Sequence, residues 1–208
     1  MISEPVYFYP NRIGRVVSLA MEEILGQKEL NTISYLAHFP IQIDGQPDHS
    51  EDLKFSIRDI SRLQTALESD YGPRAGRGLT QRVGRACLKY GLREYGSELG
   101  ITDLAFRLLP LPNRLEVGSE ALVRLFNQFT DHTVRLEVDK KHITWHIERC
   151  PLCWERLADD PCCVLAVGFL QEAYFWVSGG RYFFVEEKKC IARGDSTCRM
   201  VIDKTPMS

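Results

Sequence analysis

Apolar residues recur at helical spacing from Asn11 to Leu25, where Ile13, Val16, Val17, Ala20, Ile24 and Leu25 share a face. Asn11 is the expected N-cap of this helix and Gly26 its stop. A shorter helix is expected from Glu29 to His38, ending before Pro40. Asp44, Gly45, Pro47, Asp48 and Ser50 are turn formers and mark Pro40 to Glu51 as a connector. Ser56 then opens a helix that runs to Tyr71, with Asp59 at the capping-box position and Ile57, Ile60, Leu63 and Leu67 on the inner face. Gly72-Pro73 breaks it.

The longest helical pattern, Arg74 to Leu99, carries glycines at 76, 78, 84, 91 and 96, each costing up to about 1 kcal/mol in a helix interior. Something must offset that cost. Gly76, Thr80 and Gly84 are spaced four apart on one face, which suits either a closely packed neighbouring helix or a flat ligand against the backbone. Arg74, Arg82, Arg85, Lys89 and Arg93 form a basic stripe, either a solvated face or a dock for carboxylates. Another short helix is expected from Thr102 to Leu109, closed by Pro110-Leu111-Pro112, and a further one from Gly118 or Ser119 to Phe129.

After Asp131 the period changes. Thr133–Val138 and His142–Ile147 alternate around Asp139-Lys140-Lys141 and predict an antiparallel hairpin. Pro161 to Val177 predicts a buried helix with proline at its start. Strands follow at Arg181 to Glu187 and Arg199 to Asp203, around an Arg193-Gly194-Asp195 turn. Helices first and strands afterwards give an α+β class, with helices packed on an antiparallel sheet.

The 208 residues fit one domain, 1–208, with a helical part over 1–130 and a strand-rich part over 131–204. A content of 44% hydrophobic and 26% charged residues excludes disorder. No apolar run reaches the roughly 20 residues of a membrane span. The N-terminus lacks a basic segment followed by an apolar one, so the cytoplasm is the expected location. A formal charge of −2 argues against nucleic acid as the main partner.

Six of the seven cysteines lie between Cys150 and Cys198. In a reducing compartment this points to thiol or metal chemistry rather than disulfides. Cys87 stands apart, as a small buried hydrophobe. Cys150-x2-Cys153 fits either a metal knuckle or a redox pair, and no βαβ pattern surrounds it to favour a thioredoxin-type site. Glu187-x2-Cys190-x7-Cys198 puts two ligands at a strand end and a third across a turn. His132, His142 and His146 are expected to be satisfied strand residues, with Trp145 and Trp154 covering the paired cysteines.

The run from Glu187 through Cys190, Gly194 and Asp195 to Cys198 resembles the 4-vinyl reductase domain family over roughly Cys150 to Asp203. The resemblance implies an α+β fold of the kind shared by haem nitric oxide sensors and TRAPP vesicle-tethering subunits. It also implies zinc, held by Cys163, Glu187, Cys190 and Cys198. Cys163 is matched through the following Gly168-Phe169, and its distance to Glu187 is one residue longer than in the phenol-sensing relatives. Glu186 and Cys162 are neighbouring alternates, and Cys150 and Cys153 offer a four-thiolate site with Cys190 and Cys198. An iron–sulfur cluster is the alternative occupant.

Four protein ligands leave no open position, so the metal is expected to be structural. Function is then expected in an apolar pocket lined by Gly84, Arg85, Phe169, Tyr174 and Trp176. Three readings follow. The first is a sensor or pigment carrier for a small hydrophobic aromatic or tetrapyrrole-like ligand, signalling through a partner enzyme or regulator. The second is a vinyl reductase of bacteriochlorophyll synthesis, or its accessory protein, similar to the stand-alone J-type protein of that pathway. An independent reductase is disfavoured, because neither GxGxxG nor GxxxxGK[ST] is present to hold an electron carrier. The third is a protein–protein adaptor. Homodimerisation is expected of this fold.

Overall fold

A strand pair missed by the alternation pattern precedes and follows the first two helices. Strand β1 (Phe8–Pro10) pairs antiparallel with β2 (Leu53–Ser56), and both are too short to show a period. The structure is a computed structural model that describes residues 7–39, 47, 49–101, 104–131 and 133–207. Most of the expected connector, residues 40–46 and 48, lies outside the described residues, as do Thr102 and His132.

Helix α1 (Asn11–Leu25) follows β1 directly. Asn11 is its first helical residue rather than its cap. Pro10 holds the cap position, and Asn11 Nδ2 donates to Ser50 Oγ at 3.2 Å. Gly26, at φ 84°, turns the chain into α2 (Gln27–Ala37). Helix α3 (Ile57–Tyr71) opens with the expected capping box: Ser56 Oγ accepts from the Arg58 amide and Asp59 Oδ2 from the Ser56 amide.

Helix α4 (Pro73–Leu99) crosses the middle of the molecule. Two of its glycines mark helix crossings. A Cβ on Gly76 would sit 2.4 Å from the Leu67 carbonyl oxygen of α3, and one on Gly84 would sit 2.1 Å from that of Leu165. Leu165 belongs to α7 (Val164–Ser178), whose own Gly168 would place a Cβ 2.0 Å from the Gln81 oxygen. The two helices therefore meet backbone to backbone, and the glycine face is a packing face.

Between them in sequence come α5 (Leu104–Leu108) and α6 (Leu111–Phe129). The latter begins at Leu111, before the expected start at Gly118 or Ser119. Pro112 falls in its first turn, where no intrahelical N–H is required, so the proline admits the helix instead of ending it.

Strands β3 (Val134–Val138), β4 (His142–Ile147), β5 (Phe183–Lys189) and β6 (Cys198–Pro206) form one antiparallel sheet in the order β3-β4-β6-β5. Helix α7 starts at Val164, later than Pro161 suggests, leaving Cys162 and Cys163 in the approach loop. One buried core runs from Tyr9 through all the longer helices to Ile202.

A polar chain crosses this core. Trp145 Nε1 donates to the Tyr174 hydroxyl at 3.0 Å; that hydroxyl lies 2.6 Å from Ser119 Oγ, which donates to the Leu115 carbonyl. Tyr174→Phe leaves a buried indole N–H unpaired and is expected to cost about 1–3 kcal/mol, measured as a lower denaturant midpoint with unchanged slope.

Candidate functional site

The antiparallel order explains why distant cysteines meet. Strand β4 ends where β6 begins, with Ile147 opposite Cys198, and Cys150 and Cys153 follow just beyond β4. Strand β5 ends at the same edge and is followed by Cys190. The loop before α7 adds Cys162 and Cys163. Six thiols thus gather at one end of the sheet, all of them buried.

Their sulfurs lie edge to edge: Cys150 to Cys163 at 3.5 Å, Cys153 to Cys198 at 3.4 Å, Cys163 to Cys198 at 3.7 Å and Cys163 to Cys190 at 3.8 Å. Cys162 reaches Cys190 at 3.8 Å. These separations far exceed a disulfide bond. A metal–sulfur bond of about 2.3 Å gives a tetrahedral sulfur–sulfur edge of about 3.8 Å, close to what the thiols adopt. Two four-donor groups are formed, Cys150, Cys153, Cys163 and Cys198, and Cys163, Glu187, Cys190 and Cys198. The second is the set that the sequence motif singles out. Glu186, by contrast, is half-exposed and pairs with Lys188.

Local structure pre-positions these donors. The Arg193-Gly194-Asp195 turn folds back on Cys190, whose amide donates to Asp195 Oδ2 at 2.9 Å, and Gly194 supplies the φ of 95° that the turn requires. The Ile191 amide points at Cys198 Sγ at 3.3 Å, as suits a thiolate. Glu187 Oε2 accepts from the Cys163 amide at 2.7 Å, while its Oε1 is buried without a hydrogen-bond partner. Burial, with Cys190 close by, pushes the Glu187 carboxyl up to about 8. Contact with Cys150 raises Cys153, whereas hydrogen bonds from Cys153, Cys162, Cys163 and Cys198 hold Cys190 low. Thiols buried this close together can ionise together only where a cation compensates them.

Beside the cluster lies a cavity of about 160 Å³ with an entirely apolar wall. Helix α4 contributes Cys87, Leu88, Gly91, Leu92, Tyr95 and Leu99. A Cβ on Gly91 would meet nothing within 4 Å. Trp145 and Phe126 come from β4 and α6, and Ile13, Val16 and Val17 from α1. Cluster and cavity share their walls. Pro151 and Leu152, between Cys150 and Cys153, line the cavity, as do Leu165, Ala166, Phe169 and Leu170, which follow Cys163 in α7. Tyr95 also lines it; its hydroxyl is buried without a partner, and its ring lies 4.1 Å beneath the Arg12 guanidinium. Burial pushes that phenol up to about 12, so it stays protonated.

Of the residues expected around a pocket, Phe169 is in this wall and Gly84, Arg85, Tyr174 and Trp176 are not. Gly84 is spent on the α4–α7 crossing, Arg85 donates to Gln171 Oε1 at 2.7 Å, and the Tyr174 hydroxyl sits in the polar chain of the core. The basic stripe faces the same seam or the surface: Lys89 pairs with Glu23 at 2.7 Å. Tyr95, Gly91 and Leu88 were missed. The stripe at 88, 91, 95 and 99 is the signal that would have found them. His142 and His146 lie beside Asp139 and Glu137 on the sheet, away from both features.

No protein-family model and no curated protein sequence matches the chain. Solved structures do. An H-NOX protein from S. oneidensis in the Fe(II)NO ligation state aligns at TM-score 0.63 and 10% identity, over 96% of this chain and 99% of the other. The Fe(II) unliganded H-NOX protein from K. algicida aligns at 0.58 and 12%, over 96% and 97%. The phenol-responsive sensory domain of the transcription activator PoxR, solved with phenol, aligns at 0.52 and 16%, over 83% and 88%. The α+β fold is therefore the one seen in these H-NOX proteins and in the PoxR domain. Among the described residues no helix is long and apolar enough to cross a membrane.

Proposed function

We propose that this chain is a sensory domain whose apolar cavity receives a single-ring aromatic such as phenol, with a zinc ion on Cys163, Glu187, Cys190 and Cys198 fixing the cavity wall. The observation that carries this reading is the shared wall: residues within and immediately after the cysteine segments line the cavity. Whatever holds the cysteines holds that wall.

Cavity size selects the ligand class. A dry apolar cavity of about 150 Å³ accepts benzene, and the space here is about 160 Å³. A haem, suggested by the H-NOX fold, does not fit. Its macrocycle exceeds the space, and among the described residues no histidine, lysine or arginine lines the wall to meet iron or carboxylates. The same argument weighs against a tetrapyrrole carrier or vinyl reductase. The cysteine and glutamate motif supports a place in the 4-vinyl reductase domain family, near its phenol-sensing members. Thiols in tetrahedral-edge contact suit directly ligated zinc better than an iron–sulfur cluster, which needs room for sulfide between its cysteines.

Tyr95 presents its ring, not its buried hydroxyl, to the space, and no polar surface faces the ligand. Titration of phenol into zinc-loaded protein should quench or shift Trp145 fluorescence to saturation at one phenol per chain. Toluene should bind at least as tightly as phenol, because the wall has no polar surface to meet the phenol hydroxyl. Gly91→Leu should fill the cavity and abolish binding of both. Because it removes a helix-interior glycine where the added side chain has open space, it should leave the fold as stable or up to about 1 kcal/mol more so. Retained binding in Gly91→Leu would place the ligand elsewhere.

A further inference from the structure

The two four-donor groups overlap, and the overlap decides how many ions the cluster is built for. Both contain Cys163 and Cys198. One ion on Cys163, Glu187, Cys190 and Cys198 leaves Cys150 and Cys153 idle, although their sulfurs stand 3.5 and 3.4 Å from Cys163 and Cys198. One ion on Cys150, Cys153, Cys163 and Cys198 leaves Cys190 idle and Glu187 Oε1 buried without a partner. Neither assignment satisfies every buried donor, and an unsatisfied buried carboxylate oxygen is costly.

We infer that the cluster is binuclear: one zinc on Cys150, Cys153, Cys163 and Cys198, a second on Cys163, Cys190, Cys198 and Glu187, with Cys163 and Cys198 bridging both. Each ion then has four donors, the number zinc takes in closed structural sites. A thiolate has lone pairs enough to bridge, and the bridging pair lies 3.7 Å apart, a shared tetrahedral edge. Cys162, whose sulfur contacts Cys190 at 3.8 Å, stays outside both sets as a neighbouring thiol. The fold gives each ion its own flank: the turn after β4 carries Cys150 and Cys153, and the end of β5 carries Glu187 and Cys190.

The inference rests on the zinc reading above, and metal stoichiometry separates the two. Native mass spectrometry of full-length protein reconstituted with zinc, checked by elemental analysis, should give two zinc ions per chain. One ion per chain overturns the binuclear cluster and leaves the single-zinc reading standing; none overturns both. The paired substitution Cys150→Ser with Cys153→Ser should halve the zinc content, as should Cys190→Ser alone. Should those variants fail to fold, the cadmium-substituted wild type decides: two cadmium resonances coupled through the shared sulfurs are expected, and one uncoupled resonance overturns the assignment.

Discussion

Cys163→Ser is expected to strip the protein of metal and to destabilise it by about 4 kcal/mol or more, the range of metal loss in a buried site. For a chain of this size that corresponds to a fall in melting temperature of roughly 8–16 °C. The reason lies in its position. Cys163 belongs to both donor groups, is fully buried, and its amide is the partner of Glu187 Oε2. Cys198→Ser should behave alike, since it is the other shared donor. Cys87→Ala is the control. That thiol is also buried, but it lines the cavity and belongs to neither donor group, so its loss should leave the metal content unchanged. Inductively coupled plasma analysis with a thermal melt reads both quantities. Full zinc in Cys163→Ser would remove this residue from the site.

Gly168→Ala is expected to have the next largest effect. The added carbon would sit 2.0 Å from the Gln81 carbonyl oxygen, a clash of backbone against side chain that rotamer changes cannot relieve. Helices α4 and α7 must move apart, at a cost of about 3 kcal/mol or more, or roughly 6–12 °C in melting temperature. Gly84→Ala attacks the same crossing from the other helix, at 2.1 Å from the Leu165 oxygen. Combining the two should cost less than their sum, because once the helices have separated the second methyl finds room. Gly78→Ala, in the same helix but with nothing within 4 Å of the new carbon, should instead stabilise by up to about 1 kcal/mol. Since Leu165 and Phe169 flank Gly168 and line the cavity, Gly168→Ala should also weaken aromatic binding.

The sequence made the elements legible where local rules govern them. The Ser56 and Asp59 capping box, the hairpin around Asp139-Lys140-Lys141 and the glycine-rich helix α4 follow from spacing alone, and the structure has each of them. Helix starts were harder to read where proline has two meanings. Pro112 reads as a break but sits inside the first turn of α6, and Pro161 reads as a start but precedes α7 by a loop. That loop is what turns Cys162 and Cys163 toward the other thiols.

The cysteine cluster was visible as a set of candidates, and the structure brings all six thiols together with Glu187. Their grouping was not visible, because it depends on which strand ends share a sheet edge. The cavity was least legible. Its wall draws on α1, α4, α6, α7 and β4, so no single stretch of chain displays it. An aromatic in a buried run, such as Tyr174 or Trp176, looks the same whether it faces a space or a packed neighbour. Gly84 and Gly91 make the same point from opposite sides: one is filled by a neighbouring backbone, the other opens on the cavity.

In the proposed function, metal-held cysteine segments form the wall of an aromatic-binding cavity. Calorimetric titration of phenol into the same preparation before and after zinc removal by a chelator tests it most directly. Saturable one-to-one binding with zinc, lost or weakened at least ten-fold without it and restored by adding zinc back, is the predicted result. Equal affinity in both states, or no binding in either, would contradict it.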